Sequence, residues 1–194
     1  MPEFGFNRLL AITIRDTLRA HGVNVRMIDE NGEPRDLRAR ARAASGANLL
    51  LSIHHDSVQP QYLEERQIDG KRQRVSDRFS GYSLFVSRLN PSLAISLRCA
   101  SAVGTALRNA GFQPSPHHAE KIPGENRPFA DETNGVYYFD NLVILKTARV
   151  PAILLEAGII VNADDELALR EPSTRQRIAS AVAGAMGCLS KSPP

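Results

Sequence analysis

No apolar run in this chain approaches the roughly 20 residues that a membrane-crossing helix needs, so the sequence offers no membrane span. Cysteine is scarce. Cys99 and Cys188 are the only two, and they form no Cys-x-x-Cys spacing. That excludes a zinc-thiolate motif and implies no disulfide framework. Cys99 falls on the apolar side of a helical segment and is expected in the core. Aromatic residues are few, at 6%, and the basic residues are dispersed rather than interleaved with them, which does not favour nucleic acid. The net charge of +3 points to no particular partner. Internal repeats and low-complexity tracts are absent, and no signal peptide opens the chain. The expectation is then either a cytosolic protein or a chain that starts beyond its signal.

What is present fits an ordinary globular domain. The chain has 194 residues, 42% of them hydrophobic and 23% charged. That length suggests a single domain with a sizeable core.

Hydrophobic periodicity organises the chain. Phe6, Leu9, Leu10, Ile14 and Leu18 recur at helical spacing, and Gly22 supplies a stop. Residues 23–28, VNVRMI, read as a short strand. A polar helix follows at 36–45, and NLLLSI, residues 48–53, reads as a strand. Residues 58–80 are charged and lack apolar periodicity, which predicts an excursion with a hairpin at Asp69-Gly70. GYSLFVS is a strand, and residues 91–111 are a long helix with Pro91 near its first turn. Residues 112–135 form a long loop of the kind that is usually functional or mobile. LVILK at 142–146 and AILLEAGII at 152–160 are two more strand candidates. Residues 164–170 and 173–189 are expected to be helical, with 190–194 as a tail. The alternation predicts an α/β fold with a mainly parallel, twisted sheet flanked by helices.

Two strand ends carry chemistry. LLLSIHHDSVQ, residues 49–59, runs an apolar strand into His54, His55 and Asp56. Open α/β sheets bind ligands beyond the carboxyl ends of their strands. Two imidazoles there could bind a metal, act as acid and base, or cap the strand. In VPAILLEAGIIVNADDE, residues 150–166, Glu156 ends a second apolar strand. A buried carboxylate is costly and needs a partner or a purpose. A parallel sheet brings both ends to one edge, with His54 as a possible metal ligand and Glu156 as a possible base.

These residues resemble the zinc-dependent N-acetylmuramoyl-L-alanine amidases of the amidase-3 type, which cut peptidoglycan. Ser52-Ile53-His54-His55-Asp56 is similar to the family's strand-end motif, and Pro151 to Asn162 to its Pro-Ala-Val-Leu-Val-Glu-x-Gly-Phe-x-Ser-Asn motif. Ile159 and Val161 depart from the usual Phe and Ser. The resemblance implies that His54 is a zinc ligand, that Glu156 is catalytic, and that Glu3, at the start of the first helix, is a second ligand. It spans Glu3 to about residue 189. It also implies hydrolysis of the amide between N-acetylmuramic acid and L-alanine, a periplasmic or secreted location, and a protein activator of unknown identity. The family's first zinc ligand is a His on a strand upstream of the Glu. Nothing here precedes Met1, so the expectation is an N-terminally incomplete amidase domain over 1–194. His55, His118 and Asn162 are expected substrate contacts, and His117, His118 and Glu120 are weighed as substitute ligands. The segments at 58–80 and 113–135 should flank the groove. Two other readings stand beside this one: a metal-free, non-catalytic peptidoglycan-binding domain, and a zinc peptidase of other specificity.

Overall fold

Phe6, Leu10, Ile14 and Leu18 lie four residues apart and form one buried stripe of α1 (Glu3–Ala20). This computed structural model describes the chain except for residues 33–35, 69 and 191–194. The elements that follow are α2 (Leu37–Ala43), β1 (Leu50–Asp56), β2 (Glu64–Ile68), β3 (Lys71–Val75), β4 (Ser83–Val86) and α3 (Leu93–Asn109). After them come β5 (Phe129–Asp131), β6 (Val136–Tyr138), α4 (Val143–Thr147), β7 (Ala152–Ile159), α5 (Ala163–Arg170) and α6 (Pro172–Gly184).

Five strands form the central sheet in the order β1-β7-β4-β6-β5. The sheet is mixed. β1/β7 and β4/β6 are parallel, whereas β4/β7 and β5/β6 are antiparallel. Helices flank it, as an α/β domain requires. β7 is an interior strand and reads as an unbroken apolar run: Ala152, Ile153, Leu154 and Leu155 are all buried. A fully buried aliphatic side chain of this kind contributes about 1.5–3 kcal/mol. One core cluster joins α1, α3 and α6 to the sheet, and a second gathers Phe85, Tyr137, Ile144, Leu145 and Leu154.

Three expectations are corrected. Residues 23–28 alternate between half-buried and exposed positions, yet they pair with no strand among the described residues. Their backbone is held instead by helix side chains and ends, with Arg19 Nη2 donating to Val25 O at 3.0 Å. LVILK is the helix α4, not a strand. A five-residue apolar run is too short for periodicity to decide, and one helical turn sends both Ile144 and Leu145 into the second core. Finally, Cys99 is buried as expected but is bonded to Cys188, 89 residues away. No local spacing announces such a pair. Closing a loop of that length adds about 4.6 kcal/mol in the chain-entropy account. The tail beyond Ser190, and Asp69 of the expected hairpin turn, lie outside the described residues. The hairpin arms themselves, β2 and β3, are paired antiparallel.

β1 is an outer strand of the sheet. Along its free edge runs a groove of about 760 Å³, bordered by α1, by residues 23–30 and by Leu49, Leu51 and Ile53.

Candidate active site

The β1/β7 ladder sets His54 directly opposite Glu156. One step later the register shifts, and Asp56 pairs with Ile159 across a bulge. Bulges re-aim side chains where a strand must stop pairing, and this one turns the end of β1 into a cluster of polar groups. Gly158 keeps β7 close to α5: a Cβ there would meet Leu169 Cδ1 at 2.9 Å.

The start of α1 lies against this strand end. Glu3 Oε1 sits 3.0 Å from His54 Nδ1, and Asn7 Nδ2 donates to the same oxygen at 2.9 Å. Glu3 and Asn7 share a helix face at i, i+4 spacing. The hydrogen bond with His54 holds the Glu3 carboxyl below its ordinary value, against a smaller opposing effect of burial. Both side chains stay open to solvent, His54 at 42% and Glu3 at 44%. His55 is different. It is buried against the Phe6 ring, with centroids 5.4 Å apart, and its Nδ1 lies 2.7 Å from Asn7 Oδ1. Burial lowers its pKa to about 4, so His55 is a neutral, packed imidazole that orients Asn7.

Glu156 stands between two sets of charges. Its Oε2 is buried and has no hydrogen-bond partner. Desolvation raises its pKa well above the ordinary carboxyl value, and the negative charges of Asp56 and Glu3 push the same way. A carboxyl tuned upward in this manner suits proton transfer near neutral pH.

Beyond Glu156 lies a second constellation. Asp56 Oδ2 is 3.1 Å from His117 Nε2 and 2.8 Å from His118 Nε2. The two imidazoles lie on one 3-10 turn, His117–Ala119, with ring centroids 3.8 Å apart. His117 Nδ1 contacts Ser115 Oγ at 2.9 Å, and His118 Nδ1 contacts Glu125 Oε2 at 2.8 Å. Arg127 also pairs with Glu125, and Gln59 Nε2 donates to its other oxygen at 2.7 Å. The turn is fixed from below: Tyr137 Oη donates to Ser115 O at 2.6 Å, and Ser115 N donates to Tyr82 O at 2.7 Å. Burial alone would raise the Asp56 carboxyl, but the adjoining His117 and His118 imidazoles hold it far below the ordinary range. His118 is likewise opposed by burial, and Asp56 and Glu125 nonetheless keep its pKa raised.

The structure therefore brings Glu3, His54 and Glu156 to one place and puts His118 in the neighbouring cluster. Asn162 goes elsewhere. Its Oδ1 accepts from the N–H groups of Asp164 and Asp165 as the cap of α5, and its Nδ2 donates to Phe79 O. Glu120 pairs with Arg78 at 3.4 Å. The 58–80 and 113–135 segments do meet, through Gln59 and Glu125, Arg78 and Glu120, and Phe79 packed 5.4 Å from His117. Asn7 and Glu125 were not singled out from sequence, and Asp56 was read only as part of the strand-end motif. The one signal for Glu125 is its place in a polar, glycine- and proline-rich loop whose neighbour Asn126 has φ 66°.

Comparison with known proteins adds to this picture. The family described as N-acetylmuramoyl-L-alanine amidase matches residues 1–188. The N-acetylmuramoyl-L-alanine amidase AmiA of Escherichia coli K12 is 25% identical over 202 residues, covering 90% of this chain and 63% of its own length. The chain thus spans less than two thirds of that relative. Among solved structures, Ami1 of Mycobacterium smegmatis superposes with a TM-score of 0.75 at 22% identity, covering 97% of this chain and 77% of its own. Ami1 of Mycobacterium abscessus gives 0.74 at 23% identity, covering 97% and 78%. These likenesses show the fold.

Proposed function

The chain belongs to the N-acetylmuramoyl-L-alanine amidase family, and from that premise we propose that it hydrolyses the amide between N-acetylmuramic acid and L-alanine in peptidoglycan. The observation that carries the reading is Glu156: a carboxyl at a strand end, abreast of His54, with a buried oxygen left unpartnered. A domain that only bound cell-wall peptides would have no use for that costly group.

Zinc is the implied cofactor, and Glu3 and His54 are the residues that would hold it. Their donor set fits: a carboxylate oxygen and an imidazole nitrogen, already 3.0 Å apart and open to solvent. They supply two of the three protein ligands usual for a catalytic zinc. Among the described residues no third carboxylate, imidazole or thiolate converges with them. When bound, the ion acts as a Lewis acid on the scissile carbonyl and acidifies water. Glu156 takes the proton of the attacking water and returns it to the leaving amine. His55 holds Asn7, and Asn7 in turn donates to Glu3 and orients its carboxylate.

The Cys99–Cys188 bond supports a periplasmic or secreted location, because disulfides persist in oxidising compartments. A protein activator remains part of the proposal by family resemblance. One relative, the CwlD amidase of Clostridioides difficile, was solved in complex with the GerS lipoprotein. The direct test incubates the chain with purified sacculi and zinc. Release of peptides beginning with L-alanine is expected, and cleavage of simple peptides in its place would refute the bond assignment.

A further inference from the structure

We propose that Asp56, His117 and His118 form a site for a divalent transition-metal ion of the zinc class, separate from the Glu3–His54 pair. Two imidazole nitrogens and one carboxylate oxygen are a donor set that such ions favour. The three atoms Asp56 Oδ2, His117 Nε2 and His118 Nε2 lie within 4.8 Å of one another. All three are buried, and none has an aligned hydrogen bond, although Asp56 Oδ2 is within 2.8–3.1 Å of both nitrogens. The side chains of His117 and His118 are only 2% and 7% exposed.

The outer contacts fit the same account. Each Nδ1 is engaged, by Ser115 for His117 and by Glu125 for His118. That leaves both Nε2 atoms as inward-facing donors. A carboxylate behind a ligating imidazole fixes its tautomer and raises its basicity, and Glu125 is itself held by Arg127 and Gln59. Bonds of about 2.0 Å in a tetrahedron set donors about 3.3 Å apart. The two Asp56–imidazole spacings, 3.1 and 2.8 Å, need to open by only a few tenths of an ångström. The rival account is a buried ion pair with His118 as an imidazolium between two carboxylates. It puts a proton on His118 Nε2, 2.8 Å from Asp56 Oδ2, and predicts no tight metal binding. A bound ion would clamp the 3-10 turn of the 113–127 loop onto the end of β1, beside Glu156. The site stands whether or not Glu156 is the hydrolytic base.

The test uses the full chain, stripped with a chelator and titrated with Zn²⁺ by calorimetry and with Co²⁺ by visible absorption. One tight equivalent is expected. It should persist in a Glu3→Ala/His54→Ala double variant and vanish in His117→Gln and in His118→Gln. Glu125→Gln should weaken it about 10–100-fold. Circular dichroism checks that each variant is folded. Should a variant unfold, nitrogen-15 spectra of the wild-type histidines decide the matter: zinc must shift His117 and His118. The proposal is overturned by no tight equivalent, by one that follows His54 and ignores His118, or by a shift confined to His54.

Discussion

The end of β1 carries the same chemistry twice, built in opposite ways. Glu3 and His54 meet at a helix start with more than two fifths of each side chain in water. Asp56, His117 and His118 meet under the rings of Phe79, Phe85 and Tyr137, with side chains only 16%, 2% and 7% exposed. An exposed carboxylate–imidazole pair is weak, screened by salt and easily opened. An enclosed one is strong only while complete, and removing a member strands the others without solvent. The first arrangement suits a place where ligands and water exchange. The second suits a fixed post that holds the 113–127 loop on the end of β1. Glu156 lies between them and feels the charge of both.

The largest expected effect tests this shared position. Glu156→Gln keeps the shape but cannot accept a proton, so turnover on sacculi should fall about 1000-fold, or about 4 kcal/mol. Near-normal turnover would remove Glu156 from the chemistry and leave the two halves unconnected. Stability should then separate the halves. In metal-free protein, His118→Ala should cost about 4 kcal/mol in urea unfolding, because Asp56 and Glu125 lose their buried partner. His54→Ala should cost less than about 1 kcal/mol. Equal costs would break the contrast.

Acid provides a third measure. His55 is neutral when folded, with a pKa of about 4 against an ordinary 6.5, because it is buried. Below pH 6.5 the unfolded chain takes up a proton that the folded one refuses. Stability is thus full above that pH and declines towards pH 4, by about 3 kcal/mol in all. His55→Gln should flatten that limb of a metal-free pH–stability curve, and an unchanged limb would refute the assignment. The smallest effect belongs to the open pair. Glu3 has a depressed pKa, so its contribution is present above about pH 4.5 and lost as pH falls through the lower folded value. Glu3→Gln should remove about 0.5 kcal/mol of acid sensitivity at low salt and almost nothing at 1 M salt.

Parts of this were plain in the sequence, because local patterns carry them. The stripe of α1, the apolar runs of β1 and β7 and the glycine after α3 are encoded in a few consecutive residues. His54 and Glu156 could be read because each closes such a run. The enclosed trio could not be assembled that way. His117 and His118 sit in a segment without periodicity, and their meeting with Asp56 depends on Tyr137 and Tyr82 gripping Ser115 far away in the chain. The Cys99–Cys188 bond was hidden for the same reason: its ends come together through the packing of α3 against the final 3-10 turn, Ala185–Leu189. LVILK misled because β-branched residues favour strands only where a sheet is there to receive them.

β1 also determines how the molecule meets its own copies. Among the described residues its outer edge pairs with no strand, and Leu49, Leu51 and Ile53 line the groove beside it. Unpaired N–H and C=O groups in a row, next to apolar side chains, are a template for another extended backbone. An edge of this kind is a predicted site of edge-to-edge pairing, and light scattering over a concentration series would read it.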